Sequence, residues 1–177
     1  ISFDKEESSV TLRGGEIKGK KIYVCGDFTQ ATYFLTLGLL TGRVECLNTG
    51  VNPTRTGVLE ILRRMGAKIK ISDGRILCGE RIADIVAEKS QLKATLVTEE
   101  ESYKAAAELP ALACLMGMAD GESIIAESEA QRIADKEYFD EIAELINSLG
   151  GNCRRFDGGK AIKGVKKYRG GSVKASE

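Results

Sequence analysis

Residues 50–57, "GVNPTRTG", put a proline, two threonines and one arginine directly before an amphipathic run. Arg55 is the one residue of this loop that reads as a ligand-binding group. The same residues also make a good helix start, with Pro53 stiffening the approach and Thr54 or Thr56 as cap. Asp27 stands before a second helical run in "CGDFTQATYFL", where it can cap a helix whose free N–H groups attract an anion. Other chemistries are excluded by absence. The chain has 0 histidines, which removes Ser-His and Cys-His nucleophile pairs and histidine metal ligands. No acidic cluster has metal-ligand spacing, so acid–base work falls to Asp, Glu, Lys, Tyr or Cys.

The totals set the background. The 177 residues suffice for one domain or two small ones, and 42% of them are hydrophobic. Lysine and arginine total 26, aspartate and glutamate also 26, so the net charge of +0 offers no pull toward nucleic acid or an acidic membrane. No apolar run approaches the ~20 residues of a membrane span. Cys25, Cys46, Cys78, Cys114 and Cys153 form no C-x-x-C pair, and most sit in apolar runs. They read as reduced core thiols of a cytoplasmic protein.

The elements that must hold Arg55 and Asp27 alternate between strand and helix. "SVTLRGGEIKGKKIYV" reads as a hairpin about Gly14-Gly15 followed by a strand. Residues 28–40 form an apolar helix, 43–48 a strand, and 56–65 an amphipathic helix stopped by Gly66. "KIKI" and "RILC" flank Ser72-Asp73-Gly74 as a hairpin. A second pass repeats the order: an apolar helix over 110–119, a strand over 122–126, an amphipathic helix over 135–149, and a hairpin about Asp157-Gly158-Gly159. "LLTGRVECL" parallels "GMADGESII", and "LEILRRMGAKIKISDGRIL" parallels "AELINSLGGNCRRFDGGKAI". This is an internal repeat of roughly 75–85 residues, with one copy about 20–92 and the other about 93–168 of a single or partial α/β (α+β) domain. Phe34, Leu35, Leu37, Leu39 and Leu40, and Leu112, Leu115, Met116 and Met118, make the two apolar helices hydrophobic nearly all round. Such helices are buried, with sheets around them. "VKKYRGG" (165–171) reads as a solvated strand end.

Three segments carry a resemblance. "GDFTQATYFLTLGLLTGRVECLNTGVNPTRTGVLEILRRMGAKIKI" is similar to the second half of 5-enolpyruvylshikimate-3-phosphate synthases, with their G-D-x-S-S helix start, N-P-x-R-x-G loop and M-G-A helix end. "ELPALACLMGMADGESII" resembles their D-E-[IL]-P segment and the apolar helix after it. "RIADKEYFDEIAELINSLGG" resembles their R-V-K-E-[ST]-D-R helix. The resemblance implies transfer of an enolpyruvyl group from phosphoenolpyruvate to shikimate-3-phosphate in aromatic amino acid biosynthesis, without an organic cofactor. It also implies an inside-out domain of βαβαββ units, of which two are visible. The family's other domain and its D-H-R segment are missing, so the chain reads as a fragment, inactive alone, or as a natural truncated paralogue. An exposed apolar face where a third unit belongs predicts a homodimer.

The resemblance also names site residues. At the D-E-[IL]-P match the aspartate becomes Ala107, and Glu108 is the remaining carboxylate, catalytic or simply placed near a helix N-terminus. Without a gap, R-V-K-E-[ST]-D-R falls on residues 132–138. Arg132 is kept as a substrate-binding group, the lysine becomes Ala134, the glutamate Asp135 and the last arginine Tyr138. A two-residue slip would put the lysine–glutamate pair on Lys136-Glu137. The candidate catalytic set is therefore Glu108, Asp135 and Lys136, with Arg132 and Arg55 for substrate. Ala107, Ala134 and Tyr138 point to impaired or altered chemistry, and the alternative is a non-catalytic binding or interaction module of the same fold.

Overall fold

The computed structural model describes residues 2–3, 10–11, 18–129 and 136–172. Strand β1 (Ser2–Phe3) pairs antiparallel with β2 (Val10–Thr11). The described half of the expected first hairpin is thus paired with the chain start, and Gly14-Gly15 lie outside the described residues. Residues 18–25 form no strand. Ile22, Tyr23 and Val24 are exposed, and the Tyr23 N–H turns to the Cys78 sulfur at 3.4 Å.

Two sheets of the same order follow. The first unit runs α1 (Phe28–Thr41), β3 (Arg43–Gly50), α2 (Val58–Arg64), β4 (Lys68–Leu77) and β5 (Glu80–Glu88), with sheet order β3-β5-β4. The second runs β6 (Leu96–Val97), α3 (Glu99–Lys104), a 3-10 turn (Ala106–Glu108), α4 (Leu109–Met116), β7 (Glu122–Ala126), α5 (Lys136–Ser148), β8 (Asn152–Phe156) and β9 (Gly159–Lys163), with sheet order β6-β7-β9-β8. Before α1, Gly26 makes a parallel bridge to Thr49 of β3, as β6 runs parallel to β7 before α4. The helix α3 is an addition of the second unit.

Within the first sheet the turn differs from the expected one. Ser72-Asp73-Gly74 lies inside β4 as a register shift between Ser72 and Arg75, with Asp73 at φ 55. The chain reverses instead at Cys78-Gly79, at φ 51 and 90, which matches the twist of a two-residue hairpin turn. The apolar helices also differ from each other. Leu109, Leu112, Ala113, Leu115 and Met116 bury α4, and Leu35 and Leu39 bury one face of α1. Phe34, however, is 60% and Leu37 51% exposed, because α1 rests on β3, β5 and α4 and nothing among the described residues covers its far side. Leu40 and Met118 are half-buried. The outer helices α2 and α5 bury one stripe each (Val58, Leu59, Ile61, Leu62; Ile142, Ala143, Ile146), and both units feed one core. Of the thiols, Cys153 is buried, Cys25, Cys46 and Cys114 are half-buried, and Cys78 at its turn is exposed.

The two units are also tied by charge. Arg64, at the end of α2, donates to both carboxylate oxygens of Glu101 (2.8 and 3.0 Å), to Thr95 Oγ1 and to the Leu96 carbonyl. Glu101 at the same time closes a capping box with Thr98 at the start of α3. The Arg64 hydrogen bond holds the Glu101 carboxyl below its ordinary 4.5. A carboxyl lowered in the folded state adds stability above its unfolded pKa and loses it as pH falls through the folded value. As pH falls through the ordinary carboxylate range and below it, the unfolding free energy should therefore fall, and Glu101→Gln should flatten that slope. At neutral pH the same variant should cost about 1 kcal/mol in urea unfolding. An unchanged acid slope in the variant would contradict the assignment.

Candidate functional site

The first turn of α1 is organised by its cap. Asp27 is extended (φ −72, ψ 128), and its carboxylate accepts from the Gln30 N–H at 2.8 Å. This leaves Thr29 at the helix start facing α4. Its Oγ1 donates to Glu108 Oε1 at 2.5 Å and accepts from Arg55 Nη2 at 3.4 Å. The loop that delivers Arg55 is built by Asn52. Its Oδ1 accepts from the Thr54 N–H (3.1 Å) and hydroxyl (2.9 Å), and its carbonyl accepts from the Arg55 N–H (2.8 Å). Neither threonine caps α2, because the helix begins at Val58 behind Gly57, which has no side chain to cap with. Asn52 instead fixes the loop ahead of the helix, as an Asx turn.

Glu108 closes the 3-10 turn immediately before α4 and makes no cap bond there. It is 3% exposed, whereas Ala107 beside it is exposed. One turn along α1 from Thr29, the Tyr33 phenol is pushed above its ordinary range, first by burial and then by the Glu108 carboxylate and Cys114. Burial alone pushes the Cys114 thiol up. Of the sequence-derived candidates, Arg55 and Glu108 are thus joined through Thr29. Arg132 and Asp135, with Ala134, lie outside the described residues, and Lys136 is the first residue of α5.

Three features had no signal in the sequence reading. Thr29 is the link between two loops, and its partner is 79 positions away in the chain. Glu127 and Lys160 form an ion pair with side chains 1% and 0% exposed, one at the end of β7 and the other on β9. Tyr168, in the run taken for a solvated strand end, is half-buried and donates to the Cys114 carbonyl at 2.9 Å, with its phenol pushed far up by burial. Among the described residues no three Cys, Asp or Glu side chains converge as metal ligands. A cleft of about 540 Å³ lined by Ser90, Lys93, Met118, Asp120 and Lys166 lies at the opposite, C-terminal end of α1, where the Ser90 N–H meets the Leu39 carbonyl.

The Lys160–Glu127 pair supplies a test of how the second sheet is held. Removing one partner strands a buried charge, so Lys160→Met should cost about 3–5 kcal/mol. Lys160→Met with Glu127→Leu should regain most of it, because both desolvation penalties vanish together. Denaturant unfolding of both variants checks this, and a single variant within about 1 kcal/mol of the parent would refute it.

Comparison with known proteins adds the context. The family model for EPSP synthase (3-phosphoshikimate 1-carboxyvinyltransferase) matches residues 1–177. The 3-phosphoshikimate 1-carboxyvinyltransferase of Desulfitobacterium hafniense is 33% identical over 176 residues, covering 98% of this chain and 40% of the relative. That of Pelobacter propionicus is 33% identical over 173 residues, 96% of this chain and 40% of its own length. The solved EPSP synthase of Acinetobacter baumannii superposes with a TM-score of 0.77 at 33% identity, over 88% of this chain and 36% of that one. The enolpyruvyl transferase NikO of Streptomyces tendae shares the fold, with a TM-score of 0.56 at 17% identity. The chain therefore spans about two-fifths of the length of the curated relatives it matches.

Proposed function

Because the chain belongs to the EPSP synthase family, we propose that it supplies one wall of an enolpyruvyl-transferase site. The reaction moves the enolpyruvyl group of phosphoenolpyruvate onto the 5-hydroxyl of shikimate-3-phosphate. The new bond is a vinyl ether C–O bond, the bond to the phosphate oxygen breaks, and inorganic phosphate leaves. It belongs to aromatic amino acid biosynthesis in the cytoplasm and takes no organic cofactor. The observation that carries the reading is the meeting at Thr29 of three motifs, from two of the stretches that resemble the family: the helix start after Asp27, the loop holding Arg55, and the turn holding Glu108.

In this reading Arg132 and Arg55 bind substrate anions, while Asp135 and Lys136 provide the neighbouring carboxylate and ammonium needed for proton transfer. Glu108 belongs to the same wall. The 177 residues form two units, about 20–92 and 93–168, of one domain, and they do not turn over substrate alone. The exposed side chain at residue 107 is a methyl group, which accepts no proton. This favours a slow or altered enzyme, and it is also what a non-catalytic binding module of the family would have.

A chimaera separates these readings. The chain is joined to the complementary part of the Desulfitobacterium hafniense relative, and phosphate release from phosphoenolpyruvate plus shikimate-3-phosphate is followed. The chimaera should run at least ~100-fold below that relative, and Ala107→Asp with Ala134→Lys and Tyr138→Arg should recover about tenfold or more. Turnover at the relative's own rate would end the impaired-site reading. No recovery in the triple variant would favour the binding module.

We further propose that the bare side of α1 draws two copies of the chain together. Phe34 and Leu37 stand one turn apart and are exposed, with the part-exposed Tyr33 at the edge of the stripe. The parent should sediment as a dimer at high concentration and Leu37→Glu as a monomer. A parent that stays monomeric would count against the dimer.

A further inference from the structure

The bonds joining Arg55, Thr29 and Glu108 have only one internally consistent direction. A carboxylate accepts, a guanidinium only donates, and a hydroxyl has one proton and two lone pairs. Thr29 gives its proton to Glu108 Oε1, which leaves lone pairs, and nothing else, facing Arg55 Nη2. Among the described residues this is the one side-chain hydrogen bond that the Glu108 carboxylate receives, although Glu108 is 3% exposed. A carboxylate so enclosed has little freedom to turn, and the hydroxyl it orients is held with it.

The intervening hydroxyl has a second consequence. A direct contact between Glu108 and Arg55 would be an ion pair, and the guanidinium charge would be neutralised in place. A neutral hydroxyl steadies the guanidinium and leaves its charge and its other N–H donors uncommitted among the described residues. An exposed arginine is otherwise a long, freely rotating side chain, and holding it in advance lowers the ordering cost when an anion arrives. The Asx turn at Asn52 fixes the backbone of the same residue.

We propose that Glu108 and Thr29 are positioning residues for Arg55: Glu108 orients the Thr29 hydroxyl, and that hydroxyl holds the guanidinium ready for a phosphate or carboxylate group. The identity of that anion as part of the substrate rests on the enolpyruvyl-transferase reading; the positioning does not. Glu108 acts through Thr29 and does not itself take a proton from substrate.

The test uses the 177-residue chain with inorganic phosphate as probe, read from the arginine side-chain Nε–H signals in nitrogen-15 NMR. In the parent, the Arg55 signal should shift saturably. Thr29→Val keeps the shape and removes the hydroxyl, and should weaken phosphate binding roughly tenfold, about the effect of one hydrogen bond to a charged group. Thr29→Ser restores the hydroxyl and should bind within about twofold of the parent, the rescue that a packing role would not give. Arg55→Lys should lose binding, since an ammonium lacks the fork. A parent without an Arg55 shift, a Thr29→Val variant that binds like the parent, or a Thr29→Ser variant as weak as Thr29→Val would each overturn the proposal. If Thr29→Val does not fold, Thr29→Ala and Thr29→Ser give the same comparison. A triple-variant chimaera that recovers nothing, combined with weakened phosphate binding in Thr29→Val, would end the enolpyruvyl-transferase reading and leave the positioning intact.

Discussion

The contact between α1 and α4 is the constraint on which the rest of the structure depends. Neither helix can be buried by its own unit, because each has a sheet on one side only and carries apolar residues over most of its circumference. Setting them against each other buries Leu35 and Leu39 on one and Leu112, Leu115 and Met116 on the other. The approach to the sheets is close. A Cβ at Gly38 would stand 3.0 Å from both the Ala87 carbonyl and the Val44 side chain, so any larger residue there would push α1 off β3 and β5 by a few tenths of an ångström. Once the helices are packed, their first residues are neighbours, and Thr29 and Glu108 meet across 79 positions of sequence. The candidate site is a consequence of the core rather than an addition to it.

Buried charge is handled in two ways. Lys160 and Glu127 pair directly and leave almost no surface, a geometry in which the desolvation penalty is large and partner-for-partner matching is enforced. Burial lowers the Lys160 ammonium, and the bond to Glu127 opposes this. Opposite Lys160 in the ladder, Arg155 pairs with Asp140 of α5, so charged contacts run from the end of β7 across β9 and β8 to the helix. Glu108 is held by a hydroxyl instead of a cation. That difference separates an ion pair that pins strands together from a carboxylate whose effect passes through a neighbour to the surface.

The extent to which the sequence was legible follows the range of the interactions. β7 over 122–126 was read with both ends correct, because the stops at Asp120-Gly121 and the alternation inside it are local. The turn in the first sheet was misplaced, because Ser-Asp-Gly is a stronger turn signal than Cys-Gly, yet the ladder with β5 runs through Asp73 as a bulge and reverses at Cys78-Gly79. The apolar composition of α1 was read as burial on all sides. Composition reports what a helix can bury, and Phe34 and Leu37 remain exposed because the described residues offer no wall there. Arg55 stood out as the one arginine of its loop, and Glu108 was reached through a family resemblance. Their link through Thr29 was invisible, since a threonine at a helix start carries no mark of a partner 79 residues on. Tyr168 was lost to its basic neighbours, which are exposed while its ring turns inward beneath α4.

The adjacent residues 107 and 108 show why one carboxylate does not replace another here. In a 3-10 turn, successive side chains point roughly 120° apart, so neighbouring residues serve different sides. Ala107 faces outward and Glu108 faces α1, and the second direction is fixed by the Thr29 bond and by burial. Rotating the turn to bring Glu108 outward would break that bond, uncover the start of α4 and misalign Pro110, which stands at the beginning of the helix where a missing N–H costs nothing. The aspartate that the family resemblance implies at 107 would therefore not be made good by Glu108. The inward residue holds Thr29 in place whether or not the outward position carries an acid, so the geometry around Thr29 does not depend on the side chain at 107.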